Sequence, residues 1–286
     1  MTAVCTSNST MSTTTPTPHF KSAIITGAGG GLGSALAKQL LDSGCKVALL
    51  DTATNRALTD AMQQKYGDLA TCFDADVRDA KALQSVAQAW MARHGAPDLV
   101  IANAGIAGGF DTLYAEDMEV LQRMLDINLR GVVHTFQPFL QAMLDDGRAT
   151  GAAKSLVGIA SIAGWRGMPG NGAYCASKAA LIAYLQALRA ELRGTPVHVH
   201  TVSPGYLRTA MTAANTFAMP GLMDADTAAQ TLINKVQGGS EKIVLPPHIG
   251  WLQRALSLLP DQWFDHLLRG QPRKPREHQN NTKQNN

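Results

Sequence analysis

The chain has 286 residues, 45% of them hydrophobic and 16% charged, with a formal net charge of +3 at pH 7. That balance excludes an intrinsically disordered chain and supplies apolar material for one sizeable α/β core, since single domains of this class run to about 250 residues. Arg273, Lys274, Arg276 and Lys283 crowd the C-terminal end, and no body segment interleaves basic with aromatic residues, so a nucleic-acid partner is not expected.

Four cysteines, Cys5, Cys45, Cys72 and Cys175, show no CxxC spacing and read as free thiols in a reducing compartment. The first 21 residues are rich in Ser and Thr, lack an apolar run of signal-peptide length, and no Arg occurs before Arg56. Secretory and mitochondrial targeting are disfavoured, and the cytoplasm is the expected location. No stretch approaches the roughly 20 apolar residues of a membrane-spanning helix. The expected organisation is a disordered polar leader over 1–21, one catalytic domain over 22–247, an apolar, amphipathic helical extension over 248–270 and a disordered basic tail over 271–286.

From Ala23 onward, short β-branched runs alternate with longer helical stretches, the pattern of βαβ units. Strands are predicted at Ala23 to Thr26, Val47 to Asp51, Ala70 to Phe73, Leu99 to Ala102, Leu156 to Ala160, Val197 to Val202 and Ile243 to Leu245. Helices are predicted at Leu32 to Ser43, Ala80 to Arg93, Met118 to Leu144 and Ala173 to Arg193, where apolar residues recur at three- and four-residue spacing. Asp145 to Lys154, with two glycines and several small residues, reads as a surface loop. The fold class is α/β: a doubly wound, seven-stranded parallel sheet of Rossmann type, with ligands at the carboxyl ends of the strands.

The first strand runs into Thr26-Gly27-Ala28-Gly29-Gly30-Gly31-Leu32-Gly33 and directly into a helix. Glycines there let the backbone turn tightly against a pyrophosphate, whose charge the helix N-terminus stabilises. Asp51 closes the second strand about 20 residues further on, where a carboxylate accepts hydrogen bonds from ribose hydroxyls and repels a 2′-phosphate. NAD is therefore favoured over NADP, with Arg56 keeping NADP open and helix capping the plainer role for Asp51. In Tyr174-Cys175-Ala176-Ser177-Lys178, a phenol and an ammonium stand at i and i+4 on one helix face. A cation there is expected to lower the phenol's pKa and make it a usable general acid/base.

Together with Asn103-Ala104-Gly105, Asn128, Ser161 and Pro204-Gly205 through Thr209, these motifs make the chain resemble the short-chain dehydrogenase/reductase family from about Ala23 to Leu245. The resemblance implies a catalytic set of Asn128, Ser161, Tyr174 and Lys178. Tyr174 would exchange a proton with the substrate oxygen, Ser161 would hydrogen-bond that oxygen, Lys178 would hold the nicotinamide ribose, and Asn128 would position a relay water. It also implies that Gly27, Gly29, Gly31, Leu32 and Gly33 hold the cofactor together with Asp51, that Asp76 and Val77 meet the adenine, and that Asn103, Ala104 and Gly105 meet the central portion. Pro204, Gly205, Leu207 and Thr209 fall at the nicotinamide end. The family often has Asn where Ala102 stands.

Met211, Phe217, Met219, Leu222 and Met223 form an apolar segment that the family uses to cover substrate, so an apolar pocket is expected from Met211 and Met219 with Ser161, Trp165, Met168 and Tyr206. His198 and His200 share a strand face but have no third ligand, and no metal site is expected. Asp74 and Asp76 form a carboxylate pair, and Cys175 is read as a small packing residue rather than a redox switch. Trp251, Leu252, Leu256, Leu258, Leu259, Trp263, Phe264, Leu267 and Leu268 make the C-terminal region strongly apolar. It closes the pocket, packs on a neighbouring subunit, or makes a peripheral membrane contact. The function expected is interconversion of a secondary alcohol and ketone, with a homodimer or homotetramer implied by the resemblance. The alternatives are an NADPH-dependent carbonyl reductase and a non-catalytic dinucleotide-binding sensor or scaffold.

Overall fold

The computed structural model describes residues 20–213, 219–270 and Arg276, the side chains of 251–253 excepted. Residues 1–19, Phe217 and most of the expected tail lie outside the described residues, as do the side chains of Trp251 and Leu252. In chain order the elements are β1 (Ser22–Thr26), α1 (Gly31–Asp42), β2 (Lys46–Asp51), α2 (Arg56–Tyr66), β3 (Ala70–Asp74), α3 (Ala80–His94), β4 (Leu99–Ala102) and α4 (Asp117–Leu125). They continue with α5 (Gly131–Thr150), β5 (Lys154–Ile159), α6 (Gly172–Glu191), β6 (Val197–Pro204), the two-residue strand β7 (Leu207–Arg208) and the short α7 (Ala210–Ala213). The last are β8 (Met223–Asp224), α8 (Ala225–Gln237), β9 (Lys242–Leu245), α9 (Pro247–Ser257) and α10 (Asp261–Leu268).

Seven strands form one parallel sheet in the order β3-β2-β1-β4-β5-β6-β9. The chain crosses from β3 back over β1 to β4, and this reversal opens a crevice at the carboxyl ends of β1 and β4. Strand periodicity sends alternate side chains to opposite faces: Ala23 and Ile25 enter one core while Ile24 enters the other. On the first face, Leu36 and Leu40 of α1 meet Leu232 and Val236 of α8. On the second, Trp90 of α3, Phe136 and Phe139 of α5, and Leu181 and Leu185 of α6 pack together. Both faces are covered, so the strands read as continuous apolar runs.

Local signals set the helix ends. Asp79 caps α3, its carboxylate accepting N–H bonds from Lys81 and Ala82 at 2.9 and 3.1 Å, and Gly95 ends it with φ +74°. The expected helix from Met118 to Leu144 is α4 and α5 joined through a π-helical turn at Asp126–Arg130, and it runs on to Thr150. The surface loop expected at Asp145 to Lys154 is therefore corrected: only residues 151–153 connect α5 to β5. Two contacts hold the helix to its end. The missing Cβ of Gly147 admits Pro196, which would stand 2.6 Å from it, and the buried Lys154 ammonium pairs with Asp146 at 2.5 Å and Asp98 at 2.8 Å.

At the other end of the chain α9 and α10 form the expected extension, broken at Pro260. Phe264 is buried, whereas Leu258, Trp263 and Leu267 are exposed. Among the described residues no helix is long and apolar enough to cross a membrane. Cys45, Cys72 and Cys175 are free, and burial pushes all three thiols up, that of Cys45 to about 12.

Candidate active site

β1 delivers the glycine loop to the crevice. Gly27 has φ +66°, a conformation L-residues rarely adopt, and a Cβ on Gly33 would lie 2.0 Å from the Gly27 carbonyl oxygen. The loop thus passes as close to the first turn of α1 as two backbones permit. α1 opens at Gly30 with no side-chain cap and no acidic residue in its first turn, leaving its N–H groups free for an anion. Thr209 rests against Gly31, its Cγ2 2.6 Å from where a Cβ would stand.

Asp51 is fixed at the end of β2. One carboxylate oxygen accepts the Gly29 N–H at 2.8 Å, and the other accepts the Thr52 N–H at 2.8 Å and the Asn55 amide at 3.0 Å. Arg56 lies 3.8 Å from both Asp60 and Asp74. The Asp76 carboxylate is held by Arg78 through its backbone N–H and guanidinium, which keeps it below the usual carboxylate range. Val77 is buried, and its carbonyl contacts the His134 ring at 2.9 Å.

Asn103 sits where β4 ends, its amide donating to the carbonyls of Thr26 and Gly27, both at 3.1 Å. The Thr26 hydroxyl accepts the N–H groups of Asn103 and Ala104 at 3.2 and 3.3 Å. Asn103 therefore acts on the glycine loop itself, and Thr26 joins the site as a residue to which the sequence reading gave no separate role. Its threonine at the strand end was visible, but its partners are 77 and 78 residues away.

The second cluster gathers at the ends of β5, β6 and α6. Ser161 is buried, accepts the Ala163 N–H at 3.1 Å and donates toward the Pro204 carbonyl at 3.4 Å. Lys178 is buried one helical turn on, its Nζ donating to the Ile159 carbonyl at 2.8 Å and standing 5.9 Å from the Tyr174 ring centre. Burial brings its pKa down to about 8. The expected lowering of the Tyr174 phenol by Lys178 is not what this arrangement produces: burial dominates and raises the phenol, and Ser161 is the side chain that opposes the rise. The ammonium is itself penalised by the same desolvation and is directed to a carbonyl.

Asn128 is buried in the π-helical turn, a backbone feature that recurs at functional sites. Its amide oxygen accepts the Ile106 N–H at 2.9 Å, and its amide nitrogen donates to the Ile106 carbonyl at 2.9 Å and the Ser177 hydroxyl at 3.0 Å. Its side chain thereby locks the strand-end segment 103–106 to α6. Gly105 lies between them, a Cβ there being 3.2 Å from Asn128 Oδ1 and 3.4 Å from Lys178 Nζ.

Trp165 and Met168 follow Ser161 and are partly buried. The Tyr206 carbonyl accepts the Met223 N–H at 3.0 Å, and Leu207 of β7 pairs with Met223 of β8. Met211 is exposed and Met219 partly buried. Pro204 and Gly205 end β6 against Leu245, whose carbonyl accepts the Gly205 N–H at 2.7 Å. His200 is buried and bonded to the Ser240 carbonyl and Ser155 hydroxyl, whereas His198 is exposed.

The family model for short chain dehydrogenases matches residues 21–219. The chain belongs to this family. Short-chain dehydrogenases are NAD(P)-dependent oxidoreductases, and the seven-stranded parallel sheet flanked by helices is of that Rossmann-like fold. An uncharacterized oxidoreductase of Myxococcus xanthus is 33% identical over 87% of this chain and 97% of its own. The 1-deoxy-11-beta-hydroxypentalenate dehydrogenase of Streptomyces avermitilis is 32% identical over 86% of this chain and 91% of its own. A short chain dehydrogenase/reductase from Burkholderia phymatum, solved in complex with NAD, is 26% identical and superposes with a TM-score of 0.73, covering 89% of this chain and 97% of that one.

Proposed function

We propose that this oxidoreductase interconverts a secondary alcohol and a ketone, prefers NAD, and uses Tyr174 as its general acid/base. The observation that carries the reading is the gathering of buried Ser161 and buried Lys178 with Tyr174, whose ring centre lies 5.9 Å from the Lys178 Nζ, at the carboxyl edge of the sheet.

The cofactor's place fits the residues present. A Cβ on Gly30 would meet nothing nearer than the Gly27 carbonyl at 4.0 Å, so open space faces the uncapped N-terminus of α1. Gly27, Gly29, Gly31, Leu32 and Gly33 would hold the pyrophosphate, Asp51 the adenosine ribose, and Asp76 and Val77 the adenine. Asn103 to Gly105, Pro204, Gly205, Leu207, Thr209, Tyr174 and Lys178 would hold the rest. The bound nicotinamide supplies a carbon that takes or gives hydride.

In the oxidising direction, Tyr174 as phenolate takes the hydroxyl proton of the substrate, and in the reducing direction the phenol returns it, while Ser161 hydrogen-bonds the substrate oxygen. A phenol raised by burial retains its proton at neutral pH, so on its own it is better placed to donate in the reducing direction. Lys178, lowered to about 8, is poised to exchange a proton near neutral pH, and it does so one helical turn from Tyr174. Asn128 holds segment 103–106 beside it.

Two features support NAD over NADP. The Asp51 carboxylate stands at the strand end with its orientation fixed by Gly29, Thr52 and Asn55, and Arg56 lies beside Asp60 and Asp74. A substrate with a hydroxyl is consistent with the name of the Streptomyces relative, a dehydrogenase of a hydroxylated compound. The test is a panel of secondary alcohols and ketones with NAD and NADP, followed by the absorbance of the reduced nicotinamide. Turnover with NAD supports the reading, and a strong preference for NADP overturns the role given to Asp51. The same protein run on a sizing column with light scattering tests the proposed dimer or tetramer.

A further inference from the structure

α9 and α10 extend beyond the seven-stranded sheet, and one side chain ties them to the candidate active site. Arg166 lies between Ser161 and Tyr174 in the chain. Its Nη1 donates to the carbonyls of Leu256, Ser257 and Leu259 at 3.3, 3.1 and 2.5 Å, and its Nη2 donates to Asp261 at 2.7 Å. The guanidinium also lies over the Phe264 ring at 4.1 Å. Carbonyls at a helix C-terminus have no intrahelical partner, and a cation there is favoured by the helix dipole. Asp261 is 96% exposed whereas Arg166 is 13% exposed, so the carbonyls and the ring, rather than the ion pair, fix the guanidinium.

The same extension presses on the opposite wall. Ile249 of α9 lies 2.3 Å from where a Cβ of Gly221 would stand and 3.8 Å from that of Gly205, and Val244 fills the space beside Gly250. α9 therefore touches the segment after β6, while Arg166 ties its C-terminal end to the segment after β5. The segment after β5 carries Ser161 and leads into Tyr174, and the segment after β6 follows Pro204, whose carbonyl faces the Ser161 hydroxyl at 3.4 Å.

We infer that α9 and α10 form the outer wall of the substrate site, and that Arg166 is the positioning residue that fixes this wall so that it selects alcohols by the length of their apolar portion. The inference rests on the alcohol and ketone reading above and adds a specificity device to it. A fixed apolar wall buries added methylenes, each worth about fourfold in KM. A loosened wall buries fewer.

The experiment compares wild type, Arg166→Ala, Arg166→Met and Arg166→Lys on the 2-alkanols from 2-butanol to 2-decanol with saturating NAD, and follows amide hydrogen exchange in the same proteins. In wild type, KM falls with chain length. Arg166→Ala is expected to raise KM for 2-decanol about tenfold or more, while kcat and the 2-butanol KM stay within about twofold. Arg166→Met keeps the stem against Phe264 and gives an intermediate effect, and Arg166→Lys restores only part because one ammonium lacks both the second nitrogen that reaches Asp261 and the planar face that lies over Phe264. Exchange is expected to quicken over 247–268 and 161–171 but not in β1 or β4, which shows that the variant is folded. A KM rise equal for all chain lengths, or an unchanged slope, overturns the inference. If wild type turns over neither alkanols nor 2-alkanones, the catalytic reading fails. The anchoring claim is then judged on exchange alone, and unchanged exchange in Arg166→Ala refutes it.

Discussion

Replacing Gly33 with alanine sets two effects of opposite sign against each other. Alanine in a helix gains up to about 1 kcal/mol over glycine through backbone entropy. Against this, the new Cβ would stand 2.0 Å from the Gly27 carbonyl oxygen, which is backbone, and 2.6 Å from the Asn103 Nδ2, which its bonds to the Thr26 and Gly27 carbonyls hold in place. Gly27 is held in place by the Asn103 amide, so the loop cannot yield without breaking that bond. Overpacking of this kind costs about 1–3 kcal/mol or more, and near the start of α1 the propensity gain is small, so the clash wins. At roughly 2–4 °C per kcal/mol for a domain of this size, the apo protein should melt about 2–12 °C lower. Gly30→Ala is the matched control, with no heavy atom inside 4.0 Å of its Cβ. It should leave the apo Tm unchanged and weaken NAD binding, because the added methyl enters the space assigned to the pyrophosphate. Differential scanning fluorimetry with and without NAD reads both. A Gly33→Ala protein as stable as wild type would refute the close-approach reasoning, and a Gly30→Ala protein with full NAD affinity would refute the placement of the pyrophosphate.

Asp98→Asn removes one of the two carboxylates on Lys154, which is 3% exposed and keeps Asp146, and it should cost about 1.5–3 kcal/mol in urea unfolding at pH 7. Burial alone would lower Lys154, but its bonds to Asp146 and Asp98 raise it above 10.5. The stabilisation is complete below the unfolded-state value and is lost as pH rises through the higher folded-state value, so the gap between variant and wild type should shrink only at strongly alkaline pH. Lys178→Met removes a buried ammonium that the folded state holds at about 8 against 10.5, so at pH 7 it should stabilise by up to roughly 3 kcal/mol while abolishing turnover; a less stable variant would contradict the burial penalty. Asp51→Ala should narrow the NAD over NADP preference in kcat/KM by tenfold or more, roughly one lost charge-assisted hydrogen bond, and an unchanged ratio would remove Asp51 from cofactor selection.

The strands were legible because they are buried on both faces. Ile24 and Ile25, Leu49 and Leu50, and Val100 and Ile101 all sit in the core, so β-branched and leucine runs bounded by turn residues marked their ends within a residue or two. α2 carried little periodic signal, since Thr59 is its one buried residue, whereas Ala228, Ala229, Leu232, Ile233 and Val236 of α8 do recur at helical spacing and were there to be found. Asp145 to Thr150 looked like part of a loop because the stretch to Lys154 holds two glycines and several small residues, and glycine is a poor helix interior. Their compensation comes from Pro196 and Lys154, which only the folded chain brings near. The same reason hid Arg166, whose partners are 90 to 95 residues away. Tyr174 and Lys178 were legible as a pair at i and i+4, but the sign of the phenol's shift depended on its desolvation and on the burial of Lys178, which only the folded chain sets.

The most direct test of the central claim is Tyr174→Phe, assayed for alcohol oxidation and for NAD binding by isothermal titration. Loss of the hydroxyl should lower kcat by three orders of magnitude or more, in the range of roughly 10²–10⁴ that general acid/base groups contribute, with NAD affinity within about threefold of wild type. Turnover that survives the substitution would show that another group handles the proton, and the assignment of Tyr174, with Ser161 and Lys178 around it, would be wrong.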